Sequence, residues 1–101
     1  MNNAILRHTN DGKILFFCPG CKGVHGLNVK GSISPVWKWN KSMDKPTFKP
    51  SILVSYGDSR ICHSFITDGK IKFCNDSTHE LSGKTVDLPE FERNFQKWAD
   101  E

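Results

Sequence analysis

Four residues, Cys18-Pro19-Gly20-Cys21, restrict this chain more than any other stretch. Proline fixes one backbone torsion and glycine permits the tight turn that follows. Both sulfurs can then face one point, as a tetrahedral Zn2+ ion requires. A lone C-x-x-C is half a site, and the rest must come from His25 or from Cys62, His63, Cys74 and His79 far downstream. A chain of 101 residues buries only a modest core, so a metal joining distant segments would add what apolar burial supplies weakly.

Nothing in the chain approaches the roughly 18 apolar residues of a membrane span. Met1-Asn2-Asn3-Ala4 lacks the basic and apolar segments of a signal peptide. The expectation is therefore a cytoplasmic protein without a membrane partner. In that compartment clustered Cys and His point to metal or redox chemistry rather than disulfides. The net charge of +3 divides unevenly, +6 over residues 1–50 and −3 over residues 51–101.

The pattern predicts a mainly β (α+β) chain: a small antiparallel single domain over 1–101, with a β body at 1–86 and a C-terminal helix at 87–100. Strands are expected at 4–7 and 13–17 around Asn10-Asp11-Gly12. Val24 to Val29 alternates with period two. Val36 to Asn40 is read as a strand with Trp37 and Trp39 on one face. Residues 30–35 and 41–50 read as loops, and Ser51 to Tyr56 as a buried strand. Asp68-Gly69 is the strongest turn signal, set between strands at 60–66 and 70–75. Residues 75–84 read as a polar loop. Asp87 as N-cap with Glu90 three residues on resembles a capping box. Phe91, Phe95 and Trp98 then form an apolar stripe that packs on the sheet.

The zinc ligands are drawn from Cys18, Cys21, His25, Cys62, His63, Cys74 and His79. Neighbours on a strand point to opposite faces, so only one of Cys62 and His63 ligates. A two-residue hairpin loop pairs Ile66 with Ile71 and sets His63 opposite Cys74. A three-residue loop sets Cys62 there instead, and the sequence leaves both registers open. The four cysteines form one set; Cys18, Cys21, either Cys62 or His63, and His79 form the other. A thioredoxin-like reading is disfavoured, because a strand pattern rather than a helix follows the motif.

Several segments together resemble a family of short phage and prophage proteins. They are Cys18-Pro19-Gly20-Cys21 with His25, Pro35 to Asn40, Lys45-Pro46-Thr47-Phe48-Lys49-Pro50-Ser51, Cys62-His63-Ser64-Phe65 to Ile71, and Asp76 to Pro89. The resemblance spans about residues 16–89 and implies an accessory protein working in a host bacterial cytoplasm. Some members carry the label ammonia monooxygenase, for which these residues offer no oxygenase site. Members often have an aliphatic residue at position 74 and Cys at position 77, which favours Cys18, Cys21, Cys62 or His63, and His79 as ligands.

Three functional classes are compatible with this reading. The first is a non-enzymatic module that binds a host protein, with an anti-defence inhibitor as a special case. The second is a nucleic-acid binder, in which Lys38, Lys41, Lys45 and Lys49 meet phosphate while Trp37 and Trp39 stack on bases; the bland alternative makes the aromatics core and the lysines solvated surface. The third is a small zinc-dependent hydrolase, with His25, His63, Asp76, His79 and Glu80 as source of a base and outer partners. No His-x-Glu occurs, which disfavours a zinc deaminase.

Overall fold

Alternating apolar residues build two antiparallel sheets that face each other across one core. The computed structural model describes residues 4–31 and 35–99. The first sheet has the order β1-β2-β3, with β1 Leu6–His8, β2 Lys13–Cys18 and β3 Gly23–Asn28. The second has the order β4-β5-β6-β7-β8, with β4 Lys38–Trp39, β5 Phe48–Ser55, β6 Ile61–Thr67, β7 Lys70–Phe73 and β8 Thr85–Asp87. One helix, α1, runs over Phe91–Ala99.

Ile14, Phe16 and Cys18 alternate onto the inner face of β2 and meet Ile52, Cys62, Ile66, Ile71 and Phe73 from the second sheet. Phe17 points the other way and is buried as well. That second buried face exists because α1 packs against β2 and β3. Phe91 is buried there, Phe95 stacks on it at 5.4 Å, and the Arg7 guanidinium lies over both rings. Trp98, the outer end of the expected stripe, is 44% exposed, its ring set against Phe95.

The hairpin register settles the alternation of the middle strands. Thr67 pairs with Lys70 and Ile66 with Ile71, so the loop is Asp68-Gly69 alone. Both loop residues have positive φ, 51° and 79°, as the type I′ turn of a two-residue hairpin needs. Cys62, Ser64 and Ile66 consequently face the core. His63 and Phe65 face outward beside Leu53, which sits directly opposite His63 on β5.

Several boundaries differ from the sequence expectation, three of them by enough to matter for the site. The strand expected at 36–40 is only Lys38–Trp39, and β5 starts at Phe48 rather than Ser51. Asn40 explains the latter: its side-chain Oδ1 accepts from the Ser42 and Thr47 N–H groups and its Nδ2 donates to Lys45 O. The intervening loop is thereby closed and strand pairing resumes immediately after it. Asp87 is not a helix cap but the last residue of β8, paired with Lys70 in backbone and side chain, Nζ to Oδ1 2.7 Å. The helix therefore begins only at Phe91, whose N–H donates to Ala4 O. The expected loop at 30–35 and the expected helix end at 100 lie partly outside the described residues.

Candidate active site and metal centre

The adjacent residues Cys62 and His63 point to opposite faces of β6 and serve two different clusters. On the inner side, Cys18, Cys21, His25 and Cys62 each bring a ligand atom within 4.8 Å of the others. All the cysteines are free. Cys18 Sγ and Cys62 Sγ are 3.8 Å apart, far beyond the roughly 2.05 Å of a disulfide. Two sulfurs bound at about 2.3 Å to a tetrahedral ion lie about 3.8 Å apart, so the spacing fits a shared metal. His25 Nε2 is buried without a hydrogen-bond partner. An orphaned imidazole nitrogen among three thiols is a donor aimed at an ion.

The knuckle itself is preorganised. The Cys21 N–H donates to Cys18 Sγ at 3.4 Å and the Lys22 N–H to Cys18 O at 2.8 Å. The groups also share charge. Burial alone would lower the His25 pKa, but the neighbouring Cys18 and Cys21 sulfurs outweigh it and raise it to about 9. The Cys21 thiol is pushed down by hydrogen bonds from Cys18 and Cys62, and the Cys62 thiol up by its hydrogen bonds to Cys18 and Cys21. Thiols gathered this closely become thiolate ligands when a cation displaces their protons.

Of the seven candidates, His63, Cys74 and His79 lie outside this inner group. His63 is not in this group, because strand alternation sends it to the outer face once Cys62 is turned inward. His79 is also outside it. The turn after β7 lays its ring edge-on against Phe73, centroids 4.5 Å apart, and over Gly20. His25 stands in its stead, reached from β3, which pairs with β2 and returns past the knuckle. A Cβ at Gly20 would overlap the His79 ring. Gly20→Ala should therefore lower stability by about 1–3 kcal/mol, read as a fall in Tm, and trimming the ring with His79→Ala should relieve that penalty. An unchanged Tm for Gly20→Ala would show that the knuckle does not need this contact.

On the outer face a chain of hydrogen bonds joins Ser51, His63 and Asp76. Ser51 Oγ is 3.0 Å from His63 Nε2, and the Asp76 carboxylate oxygens are 3.0 and 3.1 Å from His63 Nδ1. Each member is positioned by backbone. Phe48 pairs with Ile66 and Ile52 with Ser64, so residues 49–51 of β5 face Phe65 alone. This bulge re-aims the strand and sets Ser51 toward His63. The Ser51 carbonyl accepts from Trp37 Nε1 at 3.3 Å. The buried Ser77 hydroxyl donates to His63 O and accepts from the His63 N–H, at 2.9 and 3.0 Å. Asp76 is thus tied to the residue whose ring it must reach, since Ser77 follows it directly and its N–H donates to Cys74 O.

A hydroxyl, an imidazole bonded through both nitrogens, and a carboxylate make the arrangement of a serine-hydrolase triad. A model of a family described as bacterial ubiquitination-like system serine protease (BubE) matches residues 2–74, and the chain belongs to that family. No curated protein and no solved structure matches it. The matched span includes Ser51 and His63, and Asp76 follows two residues after it.

Ser51 is the residue that sequence reasoning missed. It lies in no G-x-S-x-G elbow, and a serine after proline carries no nucleophile signature of its own. The available signal was that Ser51, His63 and Asp76 each fall within the segments that carry the family resemblance. The residues read as a nucleic-acid surface adjoin this site through Trp37, which donates to the Ser51 carbonyl, but none of them is part of the hydrogen-bonded chain. Trp37 and Trp39 are half-buried against the core, Trp39 stacked on Phe48, while Lys38, Lys41, Lys45 and Lys49 are exposed. No described helix is long and apolar enough to cross a membrane.

Proposed function

We propose that this protein is a serine hydrolase that cleaves an acyl bond, and that a Zn2+ ion held by Cys18, Cys21, His25 and Cys62 stabilises its fold. The observation that carries the reading is the continuous Ser51–His63–Asp76 relay. Ser51 Oγ attacks the acyl carbonyl while His63 Nε2 takes its proton. The imidazolium is held by Asp76 and returns the proton to the leaving amine or alcohol. Water then repeats the exchange on the acyl-enzyme and frees Ser51. Three thiolates and an imidazole suit zinc, and four protein ligands leave no open position. In this reading the metal's role is structural.

The family's description supports a protein conjugate in a ubiquitination-like system as the substrate. The surroundings of the triad agree with a macromolecular one. Leu53 and Phe65 are large apolar side chains, 61% and 45% exposed, on the same face as His63. A polypeptide laid across them would exclude water from a triad that sits on an open sheet face. Carried by a phage, as the sequence resemblance implies, such an enzyme would remove a host's conjugates. That joins the expected host-protein partner and anti-defence role to a catalytic site in place of a non-enzymatic module.

The test is labelling of the intact protein with a fluorophosphonate, which reacts with activated serines. One label per chain at Ser51, lost in Ser51→Ala and in His63→Ala, is the expected result. Failure of the wild-type protein to label, with the metal bound and the fold intact, would overturn the reading.

A further inference from the structure

We propose that the outer face carries a second, inhibitory metal site, formed by His63, Cys74 and Asp76, that takes a borderline-soft divalent cation such as Zn2+ or Co2+. The inference deepens the serine-hydrolase reading and its effect on turnover rests on it. One ligand atom from each of the three residues lies within 4.8 Å of the other two. The hairpin register delivers this grouping: the Cys74 N–H donates to His63 O at 2.8 Å, which places Cys74 beside His63 at the end of β7. Asp76 returns to the same point through the Ser77 turn. Cys74 is free and half-buried, and the triad does not use it.

The donor set selects the ion. Sulfur, imidazole nitrogen and carboxylate oxygen are ligands of zinc and its neighbours, and a thiol excludes magnesium and calcium as preferred occupants. Three protein ligands leave a fourth corner for water, so this site binds and releases its ion more readily than the closed cluster behind it. The consequence for catalysis is the same whichever ring nitrogen the ion takes. On Nδ1 it displaces the Asp76 hydrogen bond and obliges Nε2 to carry the proton, so His63 no longer accepts one from Ser51. On Nε2 it replaces Ser51 outright. A cation on His63 therefore switches the base off without touching the fold. The two sites lie back to back on β6 through Cys62 and His63, so one strand would hold a permanent ion on its inner face and an exchangeable one on its outer face.

The test uses the full chain with its cysteine cluster already filled, titrated with Co2+. A second equivalent should add a thiolate-to-metal absorption band. At ten times its Kd it should leave about one triad in eleven free, slowing fluorophosphonate labelling about tenfold. Cys74→Ser and Cys74→Ala should each weaken the second ion by about 100-fold, and labelling within each variant should then stop responding to Co2+. No second ion, a second ion unaffected by both variants, or a second ion that leaves the labelling rate unchanged would each overturn the proposal. A Cys74-dependent second ion in a protein that never labels would support the site and overturn the serine-hydrolase reading.

Discussion

Asp76→Asn should lower turnover by about 10⁴-fold while the protein stays folded. The asparagine keeps the size of the carboxylate but offers its amide N–H to His63 Nδ1. The ring then carries its proton on Nε2, the atom that must accept one from Ser51 Oγ at 3.0 Å. His63→Ala and Ser51→Ala should cost as much or more, and combining them should cost no more than one alone, because the three residues act as a unit. Stability should change by only about 1 kcal/mol or less. The reason is placement: all three side chains are on the outer face of the second sheet, and none belongs to the core cluster. Turnover of an activated ester, measured beside Tm for each variant, separates loss of chemistry from loss of fold. A His63→Ala protein that keeps most of its esterase activity would refute the triad.

The contrast between what could and could not be read in the sequence follows from how local each signal is. Asp68-Gly69 encodes its own turn, and with it the register that turns Cys62 inward and His63 outward. The alternation rule had stated that these two neighbours could not share a site; only the register was open. The C-x-x-C knuckle is equally local. The fourth ligand was not, because His25 and His79 both lie near the knuckle in space and differ only in where their rings point. Both rings leave Nε2 buried without a hydrogen-bond partner, but only His25 gathers with the three sulfurs, whereas His79 packs on Phe73 and over Gly20. The proposed nucleophile, Ser51, was the least legible of all. It depends on a bulge in β5, on the register of the adjacent β6–β7 hairpin, and on the Ser77 turn. Those three meet only after the sheet has formed. His63 and Asp76 could be named as base and partner from residue type, but without Ser51 the only chemistry left to assign them was a metal's.

β8 shows the opposite failure, a local pattern overridden by tertiary pairing. Asp87 and Glu90 have the spacing of a capping box, yet Asp87 gains more as a strand residue. It completes a ladder with Lys70 and bonds Lys70 Nζ, and its neighbour Leu88 is buried and donates its N–H to Gly69 O. A cap contributes about 1 kcal/mol, less than burying a leucine and closing a sheet edge together.

Removing the metal, or replacing Cys18 or Cys62 by Ser, should unfold the protein rather than merely inactivate it. A structural zinc contributes on the order of 10 kcal/mol in small metallo-domains, and a whole domain of this size is stable by only about 5–15 kcal/mol. The ion would join β2, through Cys18, to β6, through Cys62, one strand from each sheet. Cys18 and Cys62 are fully buried with their sulfurs 3.8 Å apart, so without a cation these polar groups would face each other inside the core with no ion to hold them. Cys62 also fixes the strand on which His63 sits, so activity and fold should disappear at the same chelator concentration and return together on adding Zn2+. Cys74→Ser provides the comparison: it removes a thiol from the outer face and should leave the melting transition metal-dependent as before. Elemental analysis of the purified chain, a chelator titration followed by circular dichroism, and fluorophosphonate labelling at each point make the measurement. A protein that gives up its metal and keeps its Tm would show that the two sheets hold together without the ion, and the cysteine cluster would then need a role other than a staple.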